Sequence, residues 1–238
     1  MIKAVTFDFW STLFDDIGDV GHRRQEWRVA TMQQALAKGG WQGELEQVIA
    51  AVGEAEGQCT TIRHLGGVDF TPEEQLTAIL NMLEFNPSPV VRDEVFEAYT
   101  TAVDHFPPDP LPGAISVVKE ISRELPIALI SNTGITPGSV LRRVLAKAGI
   151  LECFKVLTFS NEVNMVKPNP GIFLHTAHQL GVDISETLHV GDNFRADVLG
   201  AVGVGAKGVW LNPQGGSAPE AYAVIKAMAE LRDVVLRG

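Results

Sequence analysis

Five short runs of apolar, β-branched and aromatic residues punctuate the chain, at residues 2–9, 126–132, 155–160, 187–192 and 207–212, and each predicts a strand. All read as buried runs, as in strands covered on both faces. Helical periodicity fills the gaps between the last four, over about residues 137–148, 170–180 and 195–202, and a further helix over about 113–125 precedes the second strand. Strands and helices in alternation predict a doubly wound α/β fold around a parallel sheet. In the tail, residues 219–236 place Ile225, Met228, Leu231 and Val235 on one helical face, which predicts a last helix docked on that sheet.

Between the first strand and about residue 107 the strand signal fades and helical periodicity takes over. Leu45, Val48, Ile49 and Val52 recur at i, i+3, i+4, i+7, as do Leu76, Ile79, Leu80 and Leu83, whose helix opens on the capping sequence Thr71-Pro72-Glu73-Glu74. Val95, Phe96, Tyr99 and Val103 continue the pattern after Pro89, and Trp27, Met32, Ala35 and Leu36 mark a helix over 21–37. These stripes predict the core of a helical bundle. The expected organisation is a smaller helical domain, residues 15–106, inserted into a core domain made of residues 1–14 and 107–238. The Pro-rich stretch 106–113 reads as a stiff linker returning the chain to that core.

Composition adds exclusions. With 238 residues, 45% of them hydrophobic and 20% charged, a sizeable core is possible and a disordered class is not indicated. No apolar run approaches the roughly 18 residues of a membrane span, and the N-terminus lacks the apolar stretch of a secretory signal, so the expected compartment is the cytoplasm and no membrane partner is expected. A net charge of −10 repels polyanions, which argues against nucleic acid and leaves a small molecule as the expected partner of a monomer or weak homodimer. Cys59 and Cys153 have neither metal-ligand spacing nor a His cluster beside them, so neither zinc nor a disulfide framework is indicated.

In open α/β sheets, ligands bind beyond the carboxyl ends of the strands. Three predicted strands end in polar residues there: Asp8 after the first, Ser131-Asn132-Thr133-Gly134 after the second, and Gly191-Asp192-Asn193 with Asp197 after the fourth. Each alone is explained by helix capping or a turn. Lys167, in Val166-Lys167-Pro168-Asn169-Pro170, adds a cation able to neutralise those carboxylates and hold an anion.

Taken together and in this order, these four motifs resemble those of the haloacid dehalogenase-like hydrolase superfamily, over residues 1 to about 14 and about 107 to 212. The resemblance implies a Rossmann-like core whose nucleophile is Asp8, with Thr12 four residues on. Ser131 and Lys167 would serve as catalytic groups on the transferring phosphoryl, with Asn132 and Trp10 also at the substrate. It further implies Mg²⁺ held by Asp8, the Trp10 backbone carbonyl and Asp192, with Asp197 orienting Lys167 or a metal-bound water. The helical insertion falls where this superfamily carries its commonest cap, a mobile element that selects substrate.

One position departs from the phosphatase pattern. Phosphatases of the superfamily carry a second aspartate two residues after the nucleophile as general acid and base, and this chain has Trp10. A Trp still offers its backbone carbonyl, so the expectation is a phosphatase that keeps its metal and lacks that proton donor. Trp10-Ser11-Thr12 also resembles the 2-haloacid dehalogenase branch, which needs no metal; the acidic pair Asp192 and Asp197 argues against it, because Asp192 would stand uncompensated in a metal-free site. A third alternative is an impaired protein that binds phosphate without turnover. His22, Arg23, Arg24 and Arg28 could contribute from the insertion, although a basic run on a helix ordinarily reads as a solvated face.

Overall fold

A computed structural model describes residues 1–237. In chain order the elements are β1 (Ala4–Phe7), β2 (Phe14–Asp15), α1 (Val20–Lys38), α2 (Leu45–Gly66), α3 (Pro72–Met82), α4 (Pro89–Thr100), α5 (Ala102–His105), β3 (Asp109–Pro110), α6 (Ala114–Ile121) and β4 (Ile127–Ser131). There follow α7 (Gly138–Lys147), β5 (Phe154–Phe159), α8 (Ser160–Val163), α9 (Pro170–Leu180), β6 (Thr187–Gly191), a π-helical turn (Phe194–Leu199), α10 (Gly200–Gly203), β7 (Lys207–Leu211), β8 (Ala223–Ile225) and α11 (Leu231–Leu236).

The main sheet runs β5-β4-β1-β6-β7-β8 and is parallel throughout. Central β1 pairs Val5 with Ile127 of β4 on one side and with Leu188 of β6 on the other. The chain builds outward from β1 through β4 and β5, then crosses back to β6, so the loops that leave β4 and β6 diverge over the end of β1. Such a switch in strand order leaves a crevice at the carboxyl ends. Apolar side chains fill both faces of the sheet: α6, α7 and α11 contribute Val118, Leu141 and Leu231 on one, and α9 and α10 contribute Ile172, Phe173 and Ala201 on the other. This is the doubly wound α/β class.

A separate apolar cluster holds α1 to α4 together as a helical cap region, with Met32, Leu36, Val52, Leu76, Ile79 and Tyr99 at its centre. Local sequence explains the ends of these helices. Thr71 Oγ1 accepts from Glu74 N at 3.2 Å while Glu74 Oε2 accepts from Thr71 N at 2.8 Å, and Pro72 occupies the first turn of α3 where no backbone donor is needed. Polar contacts join cap and core: Gly67 O accepts from Val166 N at 3.1 Å and from Asn169 Nδ2 at 3.0 Å, Gln75 Nε2 donates to Gly134 O at 3.3 Å, and Ser160 Oγ donates to Asp69.

Two sequence expectations fail. The tail predicted as one helix over 219–236 forms β8, a 3-10 turn (Met228–Glu230) and the short α11. Its four apolar positions are all buried, yet their spacing suits a strand followed by a turn as well as a helix, and the open edge of β7 offers backbone partners that a helix would leave unpaired. The stiff linker over 106–113 contains β3, which pairs antiparallel with β2 through Phe14–Pro110 and Asp15–Asp109. That ribbon clamps the two ends of the inserted helices side by side. A strand of two residues carries no readable periodicity.

Candidate active site

The turn after β1 is set by Ser11, whose φ of +54° is left-handed, and by Leu13 N and Phe14 N, which both donate to Phe9 O at 2.9 and 3.0 Å. It holds Asp8 at the end of the strand, where Asp8 N donates to Val190 O at 2.9 Å. Lys167 comes from the loop before α9. Its backbone is gripped by one side chain, Asn132, which accepts from Lys167 N at 2.8 Å and donates to Lys167 O at 3.1 Å. The Lys167 ammonium is buried between two carboxylates, 2.6 Å from Asp8 Oδ1 and 2.7 Å from Asp197 Oδ1.

Asp197 is fully engaged. Oδ1 also meets His189 Nε2 at 3.2 Å, and Oδ2 accepts from Asn193 N at 2.9 Å. Gly191 makes room for this carboxylate, since a Cβ there would stand 2.2 Å from Asp197 Cγ. Asp192 is held by Thr12: the Thr12 hydroxyl accepts from Asp192 N at 3.1 Å and donates to Asp192 Oδ1 at 3.4 Å. Ser131, at the end of β4, is buried and its Oγ has no partner within the protein.

Carboxylate oxygens of Asp8, Asp192 and Asp197 all lie within 4.8 Å of one another. Burial pushes the Asp8 carboxyl up to about 7 against the pull of Lys167, with Asp197 and Asp192 adding to the rise. Burial likewise raises Asp192, aided by Asp197. Asp197 itself is held below the usual carboxylate range, because Lys167 and His189 outweigh its burial. Lys167 is raised, as the two carboxylates outweigh the burial that would lower it. Replacement of Lys167 by Met is therefore expected to strand two buried carboxylates and to lower stability by about 3–5 kcal/mol in metal-free buffer, read from urea unfolding. A loss under about 1 kcal/mol would show that the pair is not held charged.

The donor set suits a hard divalent cation: oxygens only, two carboxylates with free lone pairs (Asp8 and Asp192), and a third, Asp197, already saturated by hydrogen bonds.

Asp8, Thr12, Asn132, Lys167, Asp192 and Asp197 come together here, whereas His22 and Arg23 stay exposed on α1, His22 against Glu26 and Arg23 over the Phe106 ring. The Thr12 hydroxyl is engaged with Asp192 and the Asn132 amide with the Lys167 backbone. The Trp10 ring is partly buried, edge-on to Phe9, and lies under the Arg24 guanidinium with 5.6 Å from Cζ to the ring centroid. Arg24 and Arg28 are not a solvated face: 7% and 5% exposed, they face inward. Arg24 forks onto Asp16 with two bonds of 2.8 Å and onto Phe106 O, and Arg28 donates to Tyr99 O at 2.8 Å. Their carbonyl and carboxylate partners come from the other end of the insertion or the turn before it, which the charge pattern of α1 alone does not reveal.

Sequence reading missed His189, buried in β6 between Asp197 and Thr6 Oγ1, the latter 2.8 Å from its Nδ1. The one signal for it is a histidine within a run otherwise apolar. Burial lowers its pKa, which favours the neutral ring. Arg63 and Asp69 of the cap were also missed. No helix among the described residues is long and apolar enough to cross a membrane, and Cys59 and Cys153 are both free.

A parallel sheet of this order, with Asp8 on the turn after its central strand and a lysine bridging two acids at the same edge, is the setting in which comparison with known proteins gives the class. The chain belongs to the haloacid dehalogenase-like hydrolases, whose family model matches residues 2–205. Among curated relatives, pyrimidine 5'-nucleotidase YjjG of Escherichia coli is 35% identical over 127 residues, which are 52% of this chain and 55% of that one. The phosphoglycolate phosphatase of Photorhabdus laumondii is 27% identical over 88% of this chain and 80% of its own. The chain thus spans only about half the length of the first of these relatives. A 2-haloacid dehalogenase from Pseudomonas syringae shares the fold, with a TM-score of 0.73 at 22% identity, covering 100% of this chain and 99% of that one.

Proposed function

We propose that this hydrolase is a Mg²⁺-dependent phosphatase of small phosphorylated metabolites that works through an aspartyl phosphate on Asp8. A charge imbalance carries the reading: three carboxylates within 4.8 Å of one another face a single ammonium, Lys167. Asp192 has only Thr12 and its own loop to stabilise it, so a second cation completes the site. Asp8, Asp192 and the Trp10 carbonyl would hold Mg²⁺, which when bound supplies the positive charge that lets a phosphate approach carboxylates. Asp8 attacks phosphorus in line, its new P–O bond forming as the ester bond breaks and the leaving oxygen takes the electron pair. Lys167 and the unpartnered Ser131 hydroxyl meet the phosphoryl oxygens. Water then cleaves the aspartyl phosphate and regenerates Asp8. The two curated relatives are by name a nucleotidase and a phosphatase, which supports phosphoester chemistry.

Trp10 favours a second reading, metal-independent dehalogenation, because an aromatic there supplies no proton and halide departs without one. The Asp192 carboxylate weighs against it. Incubation with p-nitrophenyl phosphate and acetyl phosphate, with and without Mg²⁺, beside 2-chloropropanoate separates the two. Phosphate release that requires Mg²⁺ is expected, and Asp192→Ala is expected to lower Mg²⁺ affinity at least about tenfold by calorimetry. Halide release without metal, or unchanged Mg²⁺ affinity in Asp192→Ala, would overturn the phosphatase reading.

A further inference from the structure

The cleft between cap and core holds a cavity of about 180 Å³ whose wall includes Arg63 and His64 of α2, Lys167, Arg195, Asn132 and Asn193. No aspartate or glutamate lines it, in a chain that carries ten more acids than bases. Arg63 also lines an adjoining cavity of about 330 Å³, so it stands in the partition between the two. Its Nε donates to Asp69 at 2.6 Å, and Asp69 in turn accepts from Ser160 of the core, which fixes the guanidinium at the cap–core junction. Its terminal NH2 is buried and has no partner. A buried guanidinium nitrogen left unpaired costs about 1–3 kcal/mol or more, so it is a donor in want of an acceptor.

We infer that Arg63 binds a second anionic group on the leaving portion of the substrate, so that the substrate is a short phosphate ester bearing a carboxylate or a further phosphate. This rests on the phosphatase reading, which places the transferring phosphoryl at Lys167, on the wall of the same cavity. Size agrees. At about 180 Å³ the cavity is below the roughly 300–1,000 Å³ of sites for drug-sized ligands, and a chain of a few carbons fills it. Charge agrees too, because Arg195 has no acidic partner on the cavity wall and Arg63, although paired through Nε with Asp69, keeps a terminal nitrogen for a further acceptor. The guanidinium fork matches carboxylate and phosphate oxygens alike.

Phosphonates, whose C–P bond resists hydrolysis, allow binding to be measured apart from turnover. Calorimetry in Mg²⁺ would compare 3-phosphonopropionate, ethane-1,2-diphosphonate and 3-phosphonopropionamide, the last matching the first in shape without its second charge. The wild type is expected to bind one or both of the ligands charged at both ends about tenfold more tightly than the amide, the scale of one hydrogen bond to a charged group. Whichever is preferred identifies the second group as carboxylate or phosphate. In Arg63→Gln the preference is expected to vanish, with the affinity for the ligands charged at both ends falling far more than that for the amide. Should that variant fail to fold, Arg63→Gln combined with Asp69→Asn removes both charges of the pair and keeps their shapes. Equal binding of acid and amide by the wild type, no binding of any of the three, or a preference that survives the substitution would overturn the inference. Turnover of p-nitrophenyl phosphate by the same sample reports on the phosphatase reading separately, since that ester lacks a second anion.

Discussion

An Asp8→Asn protein is expected to fold normally and to lose turnover by on the order of 10⁴-fold or more, the scale that follows removal of a nucleophile. The amide has nearly the shape of the carboxylate, and Asp8 N still donates to Val190 O, so the turn after β1 stays in place. Lys167 keeps Asp197 at 2.7 Å and so keeps its charge. What disappears is the only carboxylate oxygen both next to that lysine and at the end of the central strand, together with half of the carboxylate charge available to a cation. Rapid quench with labelled phosphoester should trap a phosphorylated wild-type chain and none of the variant. Full activity in a folded Asp8→Asn protein would eliminate covalent catalysis here.

Trp10→Asp is expected to accelerate hydrolysis of alkyl phosphates by about 10²-fold, at the low end of the 10²- to 10⁴-fold range of a positioned acid or base. Two features of the structure set that size. The carboxylate would arise two residues from Asp8 in a turn already fixed by Phe9 O, so no backbone change is needed. It would also arise beside Arg24, which is immobilised on Asp16 and Phe106 and would favour the ionised form, better suited to activating water than to protonating a leaving group. The wild type, lacking any proton donor at this position, should show a burst with p-nitrophenyl phosphate followed by a slow steady state, and should be poor with alkyl phosphates. Trp10→Ala removes the ring without adding a carboxylate and should give no gain. Fast wild-type turnover of an alkyl phosphate, with no gain in Trp10→Asp, would mean that another residue supplies the proton.

How far these residues could be found without coordinates depended on whether their signal was local. Apolar runs of six to eight residues marked every long strand of the sheet, because burial on both faces demands a continuous stretch, and the polar residues ending three of them marked the edge where the site lies. Thr71 and Pro72 likewise announced the start of α3. Signals shared between distant segments were illegible. Arg24 looks solvated until Phe106 arrives from the far end of the insertion to accept from it. Arg63 gains its position from Asp69 and through it from Ser160, ninety-odd residues downstream. β8 failed for another reason: three residues are too few to distinguish a period of 2 from one of 3.6, and only the vacant edge of β7 decides between them.

The pairing of β1 also governs when this enzyme can come into being during its synthesis. Its first strand must wait for partners at residues 127–129 and 187–190, so the sheet closes around Asp8 only after roughly four-fifths of the sequence has been made. Such distant pairings carry a large loop-closure cost and slow assembly, whereas the helices between them can associate with near neighbours first. A nascent chain halted before residue 187 possesses Asp8, Ser131 and Lys167 yet lacks the strand that leads to Asp192 and Asp197. The cluster of Asp8, Asp192 and Asp197 is thus completed only late in synthesis.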